Sequence, residues 1–240
     1  MLRFIYVIIM RIFSIIHFCP KMAYYGKHPE KYSNEDCHAL AQDVIRRVKK
    51  TTRITTEVYG IENLPQDGGY IMFSNHQGKY DALGIVHAHK RPVSVLMDKK
   101  RSKLPIANQF VTLLRGKRID KGNPRQQIKI LNEIASEVKG GRIYLVFPQG
   151  GYEKDQKNSV GEFKYGCFIS AYKAKCPIVP VAIIDSYRCF SENNLKPITT
   201  KVIFLPPIPF EDYSANKAPV TCAMVQNIID AEIKSRLGTE

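Results

Sequence analysis

The sequence has no C-x-x-C pair, although it contains six cysteines. That absence argues against a zinc site or a thioredoxin-type redox motif, since both need closely spaced thiols. In a chain of 240 residues the scattered cysteines do not indicate a disulfide framework either. We therefore expect reduced thiols in a cytosolic environment, most of them simply buried. The cysteines are Cys19, Cys37, Cys167, Cys176, Cys189 and Cys222.

Acidic residues are few compared with basic ones. The chain has 22 Asp and Glu against 36 Lys and Arg, a net charge of +14, and its basic residues are densest in Ile45–Arg53. Such an excess suits an anionic partner, either nucleic acid, a lipid surface or a phosphorylated substrate. The sequence has no zinc-finger spacing or other nucleic-acid motif, and we found no internal repeat or low-complexity tract. We therefore expect an anionic lipid partner and no nucleic acid.

The amino-terminal apolar stretch is short for a membrane span. As a helix, Leu2–Phe18 reaches roughly 25 Å, slightly less than the hydrocarbon core of a bilayer. Arg11 lies in its middle, where a lipid-exposed charge costs about 2.5–3.5 kcal/mol on insertion scales. No small-x-small cleavage site follows the stretch, which argues against a signal peptide.

We interpret this stretch as a helix that lies in, or dips into, one leaflet. Arg3, Arg11 and Lys21 would then reach the lipid headgroups. A full span and a core helix of a soluble domain remain open alternatives. We expect a membrane-associated helical region over residues 1–50, located at the cytoplasmic face of the cell membrane, and an α/β domain over residues 51–240.

Strands and helices alternate beyond a polar link predicted at residues 20–32. A helix is expected to start at a Ser33 or Asn34 cap. Alternating strands and helices indicate an α/β fold with a mixed, largely covered sheet flanked by helices. The predicted strands are ITTEVYG, YIMFS, VSVLM, IYLVF, IVPVAII and KVIFL. The predicted helices cover residues 80–88, 104–115, 124–138, 163–174 and 219–237.

The stretch FSNHQGKYDALG places an imidazole and a carboxylate directly after a predicted strand, at His76 and Asp81. The simpler interpretation is a turn, because Ser, Asn, Gly and Asp all favour turns. The alternative is a general base with the acid that orients it. The N-H-x(4)-D spacing alone does not decide between them.

Three further stretches follow in a fixed order. GKRIDKGNPR is a basic loop that enters a helix, VFPQGGYEKD leaves a buried strand into a Gly-rich turn, and PIVPVAI is an apolar strand with a proline inside it. Together with VYGIENLP ahead of the first block, this set resembles the glycerolipid acyltransferases of the 1-acylglycerol-3-phosphate acyltransferase family. The resemblance covers about residues 55–210, and its first block matches fully.

The resemblance implies a role for each residue of the first block. His76 would be the general base that takes a proton from the acceptor hydroxyl, and Asp81 would orient its imidazole. The hydroxyl would then attack an acyl thioester, either acyl-CoA or acyl-carrier protein, without an acyl-enzyme intermediate. Neither a metal nor a bound cofactor is implied. The expected acceptor is a lysophospholipid, 1-acyl-glycerol-3-phosphate, and the product phosphatidic acid.

The second block departs from the family pattern. Lys121 stands where the family has a phosphate-binding arginine, so it offers a charge without the bidentate fork. Arg118 and Arg125 lie nearby in the sequence and are expected to assist. A solvated basic loop is the alternative.

The third and fourth blocks also depart from the family or leave alternatives open. Gln149 and Tyr152 replace a glutamate and an arginine of the family, Gly150 keeps the turn, and Lys154 is the nearest compensating charge. Pro180 indicates an edge strand or a bulge. The altered blocks keep two alternatives open: an acyltransferase for another lipid hydroxyl, or a lipid-binding protein without turnover.

Overall fold

The computed structural model describes residues 2–153 and 155–238. The described residues form one seven-stranded sheet. Its strands are β1 (Ile54–Tyr59), β2 (Ile71–Ser74), β3 (Val93–Asp98), β4 (Lys117–Ile119), β5 (Ile143–Val146), β6 (Ile178–Ile184) and β7 (Ile198–Phe204). The helices are α1 (Leu2–Met10), α2 (Ile12–Lys27), α3 (Asn34–Thr52), α4 (Asp81–Ala88), α5 (Ala107–Leu113), α6 (Pro124–Lys139), α7 (Ile169–Ala174), α8 (Arg188–Ser191), α9 (Phe210–Ser214) and α10 (Ala218–Leu237).

The sheet is mixed, with the order β1-β7-β6-β2-β5-β3-β4. Five neighbouring strands, β6, β2, β5, β3 and β4, run parallel to one another. The edge pair of β7 and β1 runs in the opposite direction, because β7 is antiparallel to β6 and parallel to β1. All five parallel strands therefore end at the same edge of the sheet.

Both faces of the sheet are covered. Along β2, Met72 packs into a buried cluster with α3, α4 and α5, while Ile71 and Phe73 pack into a second cluster with α6, α7 and α10. The same alternation occurs along β5, because successive side chains of a strand point to opposite faces. The predicted mixed, largely covered α/β sheet is confirmed.

Local capping signals were predicted correctly. Ser33 accepts a hydrogen bond from the backbone N–H of Asp36, whose side chain in turn caps Ser33, so a capping box starts α3. Pro124 occupies the first turn of α6, behind an Asn123 cap. Helices α4, α5, α6, α7 and α10 lie where the sequence predicted helices.

The amino-terminal region differs from the predicted single helix and polar link. The apolar stretch breaks at Arg11, and α2 then continues through Pro20 as far as Lys27. Close packing on α5 accompanies this continuation: a Cβ at Gly26 would lie 2.1 Å from the carbonyl oxygen of Thr112. The link predicted at residues 20–32 is therefore mostly helix.

Arg3 was expected at lipid headgroups, and that expectation is wrong. Its side chain is fully buried and donates to the backbone oxygens of Thr52, Asn194 and Lys196 at 2.8, 3.0 and 2.7 Å. The bond to Thr52 is buried and the other two are partly buried, so the guanidinium satisfies backbone carbonyls that are wholly or partly shielded from water. Arg11 also turns towards the protein and donates to the Thr51 hydroxyl.

By length and composition, no single described helix suffices to cross a bilayer. Helices α1 and α2 reach the required length and apolarity only as a pair, and their axes bend by 81° at the break between them.

The predicted boundary at residue 50, between a helical amino-terminal region and an α/β domain, stays a prediction. Ala41 and Ile45 of α3 belong to the same buried cluster as Met72 and Val181 of the sheet.

Two strand predictions need correction. Pro180 was expected at an edge or a bulge, and the edge is wrong, because β6 lies inside the sheet between β7 and β2. The bulge agrees with the structure, since the antiparallel register shifts by one residue between the pair Ile178 and Ile208 and the pair Val181 and Phe204. Pro180 is tolerated because the antiparallel ladder with β7 is paired only from Val181 onward, and the Pro180 carbonyl still accepts from Leu205. Strand β4 was missed, since its three residues lie in what the sequence presents as a basic loop.

Most of the cysteine side chains are buried, as predicted, whereas a reducing, cytosolic environment stays a prediction. All six thiols are free. Four are buried, namely Cys37, Cys176, Cys189 and Cys222, and the other two are half-buried.

Candidate active site

The residues that the sequence singled out follow different strands of the parallel set. His76 follows β2, Gln149 follows β5, and Lys121 follows β4. Because these strands end at one edge of the sheet, segments far apart in the sequence meet there. In open α/β sheets this carboxyl edge is the usual location of a ligand site.

His76 and Asp81 form the pair that the first block predicts. The imidazole Nδ1 lies 2.7 Å from Asp81 Oδ2, and the side chains are 18% and 0% exposed. A carboxylate oxygen accepts, so Nδ1 carries the hydrogen and Nε2 keeps its lone pair. Asp81 is also the first residue of α4, where the positive end of the helix favours a negative charge.

The Asp81 carboxylate has further donors. Its Oδ2 atom accepts from the backbone N–H groups of Gln77 at 2.5 Å and Gly78 at 2.9 Å. The Ser186 hydroxyl donates to Oδ1 at 2.5 Å. A buried carboxylate needs such donors to stay ionised. The His76 loop is thereby wrapped around the carboxylate that orients its imidazole.

Two aromatic rings pack against the imidazole of His76. Phe147 stacks on His76 with ring centroids 4.3 Å apart and an interplanar angle of 22°. Tyr152 meets the imidazole edge-to-face at 4.7 Å. Burial raises the pKa of the Tyr152 phenol, and the nearby Arg101 guanidinium opposes that shift. Tyr152 is therefore neutral at physiological pH and contributes packing rather than charge.

Gln149 anchors the backbone of the His76 loop. Its side-chain oxygen accepts from the His76 N–H at 2.7 Å, and its amide nitrogen lies 3.4 Å from the His76 carbonyl. Its role in substrate binding stays a prediction. Gly150 beside it has a φ of 69°, which favours glycine, and its N–H closes a turn onto Phe147.

Side-chain amides tie the His76 loop to β6. The Asn75 side chain exchanges two hydrogen bonds with the backbone of Ile183, at 3.0 and 2.8 Å. Gln77 donates to the Ile183 carbonyl at 2.8 Å and accepts from the Ser186 N–H at 3.0 Å. The loop therefore keeps its position relative to the neighbouring strand.

Lys121 lies next to the turn that follows β5. Its ammonium donates to the Gly150 carbonyl and lies 3.9 Å from Asp98 Oδ2. Arg101, which sequence reasoning missed, places its guanidinium 5.5 Å from the ring centroid of Tyr152. Arg101 therefore borders the ring that contacts His76, and Lys121 borders the turn that leads to that ring.

The other predicted basic residues lie differently. Arg118 turns onto α5, where its guanidinium donates to Asn108 Oδ1 at 2.9 Å and Thr112 Oγ1 at 2.7 Å. Arg125 is exposed on the first turn of α6, and no contact in the described part of the chain joins it to His76. Lys154 lies outside the described residues.

Several site residues carry no sequence signal of their own. Ser186 and Arg101 follow strands, yet nothing in their local sequence separates them from ordinary loop residues. Phe147 lies within the stretch VFPQGGYEKD, but its stacking on His76 was not predicted. Only the strand order shows that they converge. Within residues 2–153 and 155–238 no three His, Cys, Asp or Glu side chains are placed to hold a metal ion.

Comparison with known proteins places the chain in a family. The family model described as Acyltransferase matches residues 55–184, more than half of the chain. This chain belongs to the acyltransferase family. The match spans β1 through β6 and so includes the whole His76 loop and the turn after β5.

Curated relatives agree with this assignment. The 1-acyl-sn-glycerol-3-phosphate acyltransferase alpha of Homo sapiens is 26% identical over 188 residues, covering 77% of this chain and 65% of that protein. The 1-acyl-sn-glycerol-3-phosphate acyltransferase of Escherichia coli is 26% identical over 167 residues, covering 69% and 67%. In the curated relatives compared, the region that matches this chain makes up between 49% and 67% of the relative's own length.

The fold also matches a crystal structure, that of the 1-acyl-sn-glycerophosphate acyltransferase PlsC from Thermotoga maritima. The TM-score is 0.78 at 20% identity, with 100% of this chain and 96% of that chain covered. The likeness therefore extends to α1 and α2 and supports the acyltransferase fold over the full described chain.

Proposed function

We propose that this protein transfers a fatty acyl group from an acyl thioester to the free hydroxyl of 1-acyl-glycerol-3-phosphate, which gives phosphatidic acid. The observation that carries the proposal is the His76–Asp81 pair, in which Nδ1 is committed to the carboxylate and Nε2 keeps its lone pair. The names of the curated relatives, each a 1-acyl-sn-glycerol-3-phosphate acyltransferase, support the choice of acceptor.

The proposed reaction needs no nucleophile from the protein. His76 Nε2 accepts the proton of the acceptor hydroxyl while that oxygen attacks the thioester carbonyl carbon. The new C–O bond forms, the C–S bond breaks, and the departing thiolate takes the proton back from the imidazolium. Asp81 stabilises the imidazolium between these two transfers. Acyl-CoA and acyl-carrier protein both satisfy this chemistry, and the choice of donor stays a prediction.

The acceptor phosphate is met by basic side chains at the ends of β3 and β4. Arg101 is exposed, and only its backbone N–H donates to a carboxylate, that of Asp98 at 2.9 Å; among the described residues its guanidinium forms no ion pair. The only carboxylate near the Lys121 ammonium in the described chain is that of Asp98, at 3.9 Å. Both positive groups are therefore available to an anion. Arg101 and His76 contact the same Tyr152 ring, so a phosphate at Arg101 leaves the hydroxyl of a short glycerol backbone near the imidazole.

The protein reaches its lipid substrates through the outer surface of α1 and α2. Ile9, Phe13 and Ile16 are 66%, 85% and 64% exposed, which is unusual for side chains of this size in adjacent helices. Basic residues of α3 lie in the same region of the chain and attract anionic headgroups. We propose that this surface rests in one leaflet. The cytoplasmic location stays a prediction.

A direct assay tests the proposed function. The purified full-length protein is given labelled acyl-CoA or acyl-carrier protein with 1-acyl-glycerol-3-phosphate, lysophosphatidylcholine or monoacylglycerol, and the acylated product is measured. We expect the highest kcat/KM with the phosphate monoester. Preference for monoacylglycerol would assign another lipid hydroxyl as acceptor, and binding without any transfer would indicate a lipid-binding protein with the same fold.

A further inference from the structure

The two oxygens of the Asp81 carboxylate have different partners. Oδ2 accepts from His76 Nδ1 and from the backbone N–H groups of Gln77 and Gly78. Oδ1 accepts from the hydroxyl of Ser186 at 2.5 Å. Within the described chain Ser186 is the side chain that donates to Oδ1, and both residues are 1% exposed. The orientation of the carboxylate plane therefore depends on a serine more than 100 residues away in the sequence.

The Ser186 backbone is itself fixed. Its N–H donates to Gln77 Oε1 at 3.0 Å, which links it to the His76 loop. The preceding residue, Asp185, has a φ of 61°, a left-handed conformation that a non-glycine residue adopts only where its surroundings enforce it. Asn158 supplies that constraint by accepting from the Asp185 N–H at 2.8 Å and donating to its carboxylate at 3.0 Å.

We propose that Ser186 is a positioning residue for acyl transfer: its hydroxyl holds the Asp81 carboxylate in the plane that directs Oδ2 at His76 Nδ1. This inference rests on the proposed function, since it assigns a role within the same reaction. Ser186 is buried beneath Asp81 and does not touch the reacting atoms. It acts through the orientation of the carboxylate and, through that, of the imidazole.

The expected consequence is kinetic. Without the hydroxyl, Oδ1 loses a hydrogen bond to a charged group and the carboxylate gains freedom to rotate about its Cβ–Cγ bond. A misoriented His76 imidazole accepts the proton more slowly, whereas other residues bind the substrate. The loss therefore appears in kcat, and KM stays nearly constant.

The test compares two substitutions in the full-length protein. Ser186→Ala should lower kcat about tenfold with KM within about twofold. Ser170→Ala is the matched control, because Ser170 on α7 is another fully buried serine. Its hydroxyl donates to the backbone carbonyl of Cys167 instead of to Asp81. The control should leave both kinetic constants unchanged.

A second-site rescue separates positioning from folding. A Cβ added at Gly78 would lie 4.0 Å from Asp81 Oδ1 and 3.4 Å from the Tyr187 Cα, which is ordinary contact, so a serine hydroxyl there can reach Oδ1. Ser186→Ala combined with Gly78→Ser should recover most of the lost kcat. A wild-type kcat in Ser186→Ala would overturn the proposal, as would a failure of the double variant, folded as judged by its Tm, to recover any activity.

An activity-independent measurement keeps the two proposals distinct. NMR of the His76 ring reports the Nδ1–H···Asp81 hydrogen bond directly. In Ser186→Ala that proton should shift upfield and exchange faster with water. If the wild type transfers no acyl group but the NMR change occurs, the proposed function fails and the positioning role stands. If the wild type is active and the proton is unaffected, the positioning role fails.

Discussion

Arg101 and His76 both contact the ring of Tyr152, so this tyrosine lies between a free guanidinium and the base. At the scale of single residues, the proposed function therefore places the acceptor charge beside Tyr152 rather than on it. A lysine at position 121 adds a second charge next to the Gly150 carbonyl. Sequence comparison alone places the missing positive charge at Tyr152, whereas the structure provides one from the loop after β3.

Arg101→Ala should raise the KM for 1-acyl-glycerol-3-phosphate. One charge-assisted contact is worth on the order of 1.5–3 kcal/mol, which corresponds to a roughly ten- to hundredfold change. The kcat at saturation should change little, because the contact is made in both the ground and the transition state. Steady-state kinetics measure this effect.

Lys103→Ala is the control, since Lys103 is exposed in the same short helical turn, at residues 101–103. An equal KM in Arg101→Ala and in wild type would remove Arg101 from the acceptor site. Monoacylglycerol, which carries no phosphate, should be used equally well by both proteins. A loss with both acceptors would indicate a structural role instead.

Lys121→Ala should likewise weaken use of the phosphorylated acceptor, roughly tenfold to a hundredfold in kcat/KM. Its ammonium lies against the Gly150 carbonyl, so part of the effect can come from movement of the turn. Lys121→Arg distinguishes the two causes, because it keeps the charge. Unchanged kinetics in Lys121→Ala would assign Lys121 to the solvated basic loop.

His89 gives a pH-dependent contribution to stability. It is 1% exposed, accepts from the Tyr70 hydroxyl at 2.6 Å and donates to the Arg91 carbonyl at 2.7 Å. Burial lowers the pKa of His89 to about 4, and the nearby charges of His38 and Arg91 add to this shift. The native state therefore holds His89 neutral at pH values where the unfolded chain is protonated.

The free energy of unfolding should fall as the pH drops from about 6.5 to about 4, because protons bind the unfolded chain first. The contribution of His89 reaches about 3 kcal/mol at the lower limit. Urea unfolding at pH 7.5 and 4.5 measures this loss. His89→Gln should lose less stability over the same interval than wild type, and an equal loss would show that other groups account for it.

At the scale of elements, α1 is coupled to the catalytic edge of the sheet. Arg3 binds carbonyls at the end of α3 and in the loop after α8, and Phe4 packs edge-to-face on Phe190 of α8 at 5.6 Å. Helix α8 begins two residues after Ser186. Deleting the first 20 residues would therefore remove both the surface that we propose to face lipid and a support of the candidate active site.

Arg3→Ala tests this structural role of α1. It leaves three backbone carbonyls without their donor, so we expect a loss of about 3 kcal/mol in the free energy of unfolding. Arg46→Ala is the matched control, because Arg46 is 72% exposed in an ion pair with Asp43. Such surface pairs contribute about 0–1 kcal/mol. Equal losses in the two variants would contradict the anchoring role.

Point substitutions on α1 and α2 test membrane docking more cleanly than a deletion. Phe13→Ser combined with Ile16→Ser should reduce binding to anionic vesicles by roughly a hundredfold, since each buried apolar side chain contributes about 1.5–3 kcal/mol. Val220→Ser with Ile228→Ser on α10 is the control. Vesicle sedimentation that does not distinguish the two double variants would assign docking to another surface.

At the scale of the whole molecule, periodicity and capping predicted most of the fold. Helix α3 begins with a capping box, and α6 begins with Asn123 and Pro124. The buried strands are rich in β-branched residues, which favour strands. Strand β4 was missed because it is three residues long. The continuation of α2 beyond the predicted apolar helix, through Pro20 to Lys27, was missed because a proline within a helix is normally a stop signal. Its tight packing on α5 is not visible in the local sequence.

The site was predictable to the extent that it is local. His76 and Asp81 are five residues apart, so their spacing in the sequence already predicts that their side chains lie close together. Ser186 and Arg101 reach the site through the order of the parallel strands, which no single segment determines. The buried position of Arg3 likewise depends on a loop 190 residues away and could not be read from an apolar amino-terminal stretch.

The most direct test of the account is the turnover of His76→Ala with 1-acyl-glycerol-3-phosphate and an acyl thioester. We expect kcat to fall by about 10²–10⁴-fold, because general-base catalysis is lost while the fold and vesicle binding persist. Asp81→Asn should show a similar loss, and His28→Ala, which removes a half-buried histidine paired with Glu30, should show none. A folded His76→Ala protein with wild-type kcat would contradict the proposed mechanism.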